Sequence, residues 1–246
     1  MSDHKSFIAK SPYRYRGLIG LAVLCLTLLL IVSWSLKPVI AAPLQVGIGT
    51  GGLNAFELIG RTDQNNLDFS GVGYLTYIKG LNNAQIYSNP LDPSEDTARF
   101  TYVADATLTS RAVLSDVFVI DAQGTMTIYF TPSPPNRSFN NAASFASGTP
   151  IATTSVRYQD ILLVQSPNKG NATGVSEVTE LSASAFTLNG QSYQFGQPGL
   201  LYRLSTVGNG TRTNLNPPIS FVLLAGNAIT SGGEQSFLPS LYRDSH

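Results

Sequence analysis

The sequence predicts an all-β protein: an antiparallel β-sandwich or flattened β-barrel of roughly ten to twelve strands, preceded by an N-terminal signal segment. Three observations carry this. Apolar and polar residues alternate with period two through most of the chain, which is the pattern of a strand with one face in a core. The alternating runs are punctuated by turn residues such as Asn189-Gly190. No stretch beyond the leader shows the 3.6-residue period of a long amphipathic helix.

The leader comes first. Lys5, Lys10, Arg14 and Arg16 form a basic start, and Gly17 to Trp34 is uncharged and mostly aliphatic. Lys37 and Pro38 end the run, and Val39-Ile40-Ala41 supplies a small-residue exit. Those are the three parts of a secretory signal. Pro43 disfavours a cut after Ala42, so cleavage is expected after Ala41. The alternative is an uncleaved anchor, since eighteen residues in a helix reach about 27 Å, nearly the hydrocarbon thickness. In both cases the domain faces outward. Cys25 lies in mid-segment after Val23-Leu24, without the small residues that precede a lipidated cysteine.

Residues 42–52 form a glycine-rich lead-in, 53–240 one all-β domain and 241–246 a tail. Removing 1–41 leaves ten basic and fourteen acidic residues, a formal charge of −4. No basic cluster is left to follow a phosphate backbone, so nucleic acid is excluded as a partner class. Cys25, Trp34 and His4 leave with the leader, and the other histidine is His246, the last residue. The domain is therefore disulfide-free and must rely on its core. It also lacks the packed imidazole or thiol of acyl-transfer catalysis and the spaced ligands of a zinc site.

Along the domain, Phe56 to Arg61 and Phe69 to Lys79 read as strands separated by the turn Asp63-Gln64-Asn65-Asn66, with Gly71 and Gly73 marking a bulge or bend. Thr97 to Thr109 places Ala98, Phe100, Tyr102, Ala104, Ala106 and Leu108 on one face. Val113 to Ile120 and Thr125 to Phe130 follow, with Asp121-Ala122-Gln123-Gly124 as the intervening turn, and the three make a meander. The segment 131–149 is a long loop rich in Pro, Ser and Asn that carries Phe139 and Phe145. A helical turn is expected over Asn141 to Ala146, with the rings folded onto the domain.

Ile151 to Tyr158, Ile161 to Gln165 and Val175 to Ala185 continue the strands. Phe186 to Leu188, Asn189-Gly190 and Ser192 to Phe195 form a hairpin with a type I′ signal. Leu200 to Val207 turns at Gly208-Asn209-Gly210, and Ile219 to Ile229 is too apolar for a surface strand.

Three sets of residues are candidates for function. Asp92, Glu95 and Asp96 offer hard oxygen ligands in one loop and are candidate calcium ligands, calcium being the only cofactor the sequence suggests. Asp63, Asn65 and Asp68 are a sparser version without the glycine and distal Glu of an EF-hand loop. Glu57, Asp105, Asp116, Asp160, Glu177 and Glu180 are the carboxylates from which a glycosidase pair would be drawn. Among them Asp116 stands in an apolar stretch, where Leu114, Val117, Phe118 and Val119 are expected to bury it and raise its pKa. The tyrosines Tyr74, Tyr77, Tyr87, Tyr102, Tyr129, Tyr158, Tyr193 and Tyr202 suit a cavity or contact surface, although strands favour tyrosine anyway. Asn136, Asn171 and Asn209 head glycosylation sequons. The stretch Gly47 to Gly52 lacks the strand–helix setting of a nucleotide loop and reads as flexible.

The expected function is an exported non-catalytic β-domain with a structural or binding role at the cell surface, in the envelope or outside the cell. Its partner is a surface partner or small ligand, and it touches a membrane only through an uncleaved leader. The alternatives are a β-barrel binding a small apolar ligand, which a closed cavity above roughly 300 Å³ would favour over a filled core, and a carboxylate-dependent hydrolase acting on carbohydrate. A membrane-spanning barrel fits poorly, because Ile219 to Ile229 does not alternate.

Overall fold

The computed structural model describes residues 41–231; the leader through Ile40 and the tail from residue 232, with His246, lie outside the described residues. Eight strands close into one antiparallel barrel. They are β2 (Asn54–Asn65), β3 (Asp68–Ile78), β4 (Phe100–Leu114), β5 (Val117–Phe130), β6 (Thr149–Ser166), β7 (Lys169–Ala183), β10 (Leu201–Asn214) and β11 (Ile219–Thr230). Each pairs with its neighbour in sequence, β10 closing against β7 and β11 against β2. A barrel, not a sandwich, thus resolves the two architectures that the alternation allowed. Strands β1 (Leu44–Val46), β8 (Ala185–Leu188) and β9 (Gln191–Phe195) form a separate three-stranded sheet.

An antiparallel meander puts every second connection at the same end. The links after β2, β4, β6 and β10 are hairpins of two to four residues, and they surround an open mouth. The three links at the other end are long and carry the remaining structure. Between β3 and β4 lies the short helix α1 (Asn83–Ile86), closed by an Asn82–Gln85 capping box. Between β5 and β6 lies the 3₁₀ turn Ala142–Ala146, in the place where a helical turn is expected. Between β7 and β10 lies the β8–β9 hairpin, turning at Asn189-Gly190 with φ of 52° and 78° as its sequence predicts.

These links seal the lower end with aromatic rings. Phe186 packs on Phe100 at 5.5 Å and on Phe130 at 4.7 Å, and Phe56 meets Phe195 at 5.5 Å and Tyr202 at 5.3 Å. Phe145 is fully buried, and the Thr101 hydroxyl donates to its carbonyl at 2.6 Å. Each such ring removes about 150–250 Å² from water, so the cap and the barrel floor form one core. The glycine-rich lead-in is tied to that floor: Gly47 N–H donates to the Lys79 carbonyl at 2.8 Å and Gly49 N–H to Thr230 Oγ1 at 2.9 Å.

Several expected turns are strand interior instead. Asp121 to Gly124 lies within β5, and the chain reverses at Ser115-Asp116, where Ser115 has φ 55°. Gly208 to Gly210 lies within β10, whose turn comes after Asn214. Asp63 to Asn65 ends β2, and the reversal is at Asn66-Leu67. Ile151 to Tyr158 and Ile161 to Gln165 are one continuous strand, β6. The Ile219 to Ile229 run is a barrel strand whose outward residues meet solvent, Leu223 being 54% exposed. Glycine in β5 and β10 answers a need for close approach, not for a turn. A Cβ on Gly124 would overlap the Asp105 carbonyl, and one on Gly208 the Leu223 carbonyl.

Candidate functional site

Within each strand the residues of one parity point into the barrel. On β6 these are Ala152, Thr154, Val156, Tyr158, Asp160 and Leu162, and on β5 they run from Ile120 through Ala122 to Met126. The interior narrows to solid packing at the floor and opens upward. A cavity of about 110 Å³ occupies mid-barrel, walled by Leu58, Ala104, Ala122, Met126, Ala172 and Leu204 among others. A second space of about 200 Å³ lies in the mouth. Gln64, Ile120, Leu162, Ser220 and Val222 line both, so the two are one lumen. Small residues keep it open: glycine and alanine stand where other eight-stranded barrels carry side chains that fill the interior.

Few polar groups enter this space. Tyr102 comes from β4 and lies against Gly60 and Gly73, which face each other across β2 and β3. A Cβ on either glycine would collide with the ring. Tyr158 and Asp160 come from β6, and Asp160 sits over Gly174 of β7 beside Thr206 of β10. Burial raises the Tyr102 and Tyr158 hydroxyls above the usual phenol range. Burial alone pushes the Asp160 carboxyl up to about 6, with no hydrogen bond or cation to hold its charge. The lumen therefore contains a carboxyl group and two phenols without partners among the described residues.

The mouth carries the opposite charge. A register shift between Leu108 and Ser110 turns Arg111 inward opposite Ile120, where its guanidinium lies 4.8 Å from the Phe118 ring centroid. Lys169 and Arg212 also border the mouth. Lys169 Nζ donates to Thr211 Oγ1 at 2.9 Å, and Arg212 donates to the Pro167 carbonyl and to Asn168 Oδ1. The ion pairs among the described residues involve neither these two nor Arg111.

The outer wall is polar over much of its area. Arg61 pairs with Asp63 at 2.6 Å, Arg157 lies 3.7 Å from Glu177 and 3.9 Å from Asp121, and Arg203 lies 3.6 Å from Glu177. A bilayer-spanning barrel presents an apolar band outside and a polar interior. Here the ion pairs stand on the outer wall, beside exposed Ile161, Leu163, Val207 and Leu223, while the mid-barrel lining is mostly apolar.

The carboxylates singled out in the sequence do not converge. Asp92 is exposed, Glu95 is half-buried, and Asp96 Oδ1 accepts the Arg137 N–H at 2.5 Å. The buried Arg137 guanidinium donates to the carbonyls of Glu95 (3.1 Å) and Ala98, so this loop braces the link between β5 and β6. Among the described residues no three His, Cys, Asp or Glu side chains gather as a metal-ion group.

Asp116 is not buried by its apolar neighbours. It occupies the exposed β4–β5 turn, and its carbonyl accepts from Val164 N–H at 2.8 Å. Glu57, Asp105 and Glu177 face outward, bonded to Asn54, Ser70 and the two arginines.

Only Asp160 and Glu180 face the interior, and they do not form a pair. Asp160 is in register with Gly174, and Glu180 lies six residues further along β7, about 20 Å at strand rise. Glycosidase carboxylates need roughly 5–9.5 Å. Glu180 instead belongs to the floor, where its Oε2 accepts from Tyr202 Oη and Gln197 N–H, both at 3.1 Å. Burial raises its pKa to about 7, with the two hydrogen bonds pulling the other way.

The tyrosines divide similarly. Tyr102 and Tyr158 enter the lumen, Tyr202 the floor, and Tyr193 the cap, where its hydroxyl accepts from Gln85 Nε2 at 2.9 Å. Asn171 and Asn209 face each other across β7 and β10, and Asn136 is exposed. Asp160 was within reach of sequence reasoning. Once β6 is read as one strand, its parity places Asp160 on the same face as Val156 and Tyr158. No family model, curated relative or solved structure matches this chain.

Proposed function

We propose that the domain is an exported binding barrel for a small, largely apolar molecule that bears one hydrogen-bond donor. The observation that carries this reading is the open lumen, apolar along its walls and holding Asp160, Tyr102 and Tyr158 without partners. A barrel needed only as a structural unit gains stability by filling its interior. Asp160 is half-buried with its carboxyl facing the lumen, placed to accept from a donor on a bound molecule. Apolar pockets with a few convergent polar groups and a perturbed carboxyl are the usual form of a small-molecule site. The leader supplies the route out of the cytoplasm.

N-phenyl-1-naphthylamine, an apolar fluorophore with one N–H, is a suitable probe. Saturable enhancement at one probe per chain is expected, and Asp160→Ala should weaken it about tenfold, the equivalent of one lost hydrogen bond to a charged group. Enhancement that never saturates, or that ignores Asp160, would contradict the reading.

A further inference from the structure

The open end of the barrel carries more exposed apolar surface than a carrier needs. Three of its four hairpins end in leucine: Leu67 is 49% exposed, Leu114 77% and Leu215 70%. They lie at the β2–β3, β4–β5 and β10–β11 hairpins around the mouth, with Leu114 six residues along β4 beyond Leu108, the residue bonded to Leu67. Beside Leu114 lies an apolar field on the outer wall. Leu114, Val117 and Leu163 are cross-strand neighbours on β4, β5 and β6, and Ala112, Val119 and Ile161 form the next row. Leu163 is 48% exposed and Ile161 42%. Hairpin tips in monomeric domains are normally polar, and clustered exposed leucines mark an interaction surface.

Charge says what kind. Arg111, Lys169 and Arg212 are all exposed in the same mouth. The acids nearby are Asp68, which takes the Thr107 hydroxyl at 3.3 Å, Asp116 in the β4–β5 turn, and Asp63, whose charge is paired with Arg61. The rim is thus apolar at its tips and net basic just inside them. This is the order in which a protein meets acyl chains and anionic headgroups. We infer that the open end docks on an anionic lipid surface, with Leu67, Leu114 and Leu215 entering the headgroup region, so that the lumen takes its ligand directly from the bilayer. The inference rests on the binding-barrel reading, and its test separates the two.

The chain from Pro43 holds all eleven strands and is a compact unit by itself; it contains no tryptophan. Leu114→Trp therefore reports on the mouth, and Leu91→Trp, at a position 94% exposed between α1 and β4, reports on the closed end. Each is mixed with vesicles of phosphatidylcholine and phosphatidylglycerol carrying brominated acyl chains, which quench only tryptophan that reaches them.

Quenching of Leu114→Trp by at least twofold is expected, reversed in high salt and absent from pure phosphatidylcholine, with Leu91→Trp unchanged. A Leu67→Ser/Leu215→Ser change in the Leu114→Trp background should abolish it. Equal or absent quenching at both positions overturns the inference, as does quenching that survives the double change. N-phenyl-1-naphthylamine titration of the same variants in buffer without vesicles keeps the readings apart. Probe binding without quenching sinks the docking alone, and quenching without probe binding sinks the lumen.

Discussion

Asp160 on β6 occupies space that Gly174 on β7 leaves vacant: a Cβ on Gly174 would overlap both Asp160 Oδ1 and Thr206 Oγ1. The two are register partners, so the one carboxyl group lining this part of the lumen and the glycine that admits it lie side by side. Gly174→Ala should force Asp160 toward the cavity centre. A loss of about 1–3 kcal/mol is expected, typical of overpacking a fitted site. Adding Asp160→Ala should restore part of it, the overlap with Thr206 remaining. Urea melts of the two single variants and the double variant check this coupling; additive losses would mean that the two residues act independently.

Two carboxyls with raised pKa values set an unusual pH response. Asp160 is held near 6 and Glu180 near 7, both above the ordinary carboxylate range and both through burial. Between that range and these values the folded chain binds more protons than the unfolded chain, so their contribution to stability falls as pH rises. It is fullest below about pH 4 and lost by about pH 7. Denaturant midpoints for the wild type and for Asp160→Asn/Glu180→Gln should differ in slope across that window, with the variant flatter. Parallel curves would show that neither group is perturbed.

Much of the wall was legible because strand parity depends only on neighbours in sequence. Phe100, Tyr102, Ala104 and Ala106 read as an inward face and are one. Turns were misplaced where glycine serves close approach, as at Gly124 and Gly208, because sequence does not show what presses against a backbone. Closure itself depends on β2 meeting β11 and β7 meeting β10. Those pairings join residues far apart in the chain and leave no local pattern. Asp160 was obscured because β6 read as two short strands with the aspartate between them.

Asp116 checks the position of the β4–β5 hairpin directly. In an exposed turn its charge touches little, so Asp116→Asn should change stability by no more than about 0.5 kcal/mol. Glu180→Ala removes the acceptor for Tyr202 and Gln197 from the floor and should cost about 1–3 kcal/mol. Thermal melts rank the two, and a larger loss at Asp116 would contradict the placement of the hairpin.

Export predicts a defined N-terminus. The intact mass of the protein recovered outside the cytoplasm should begin at Ala42, after a cut that removes Cys25 and Trp34. Recovery of the full-length chain in a membrane fraction would show an anchor instead.

The binding lumen is tested most directly by filling it. Ala172 lies on the lumen wall, and Ala172→Phe adds a ring to the wall of the 110 Å³ space. The prediction is that Ala172→Phe melts within a few degrees of the wild type while saturable N-phenyl-1-naphthylamine binding falls at least tenfold. Unchanged probe binding in a folded Ala172→Phe would place the probe elsewhere and contradict a ligand site inside the barrel.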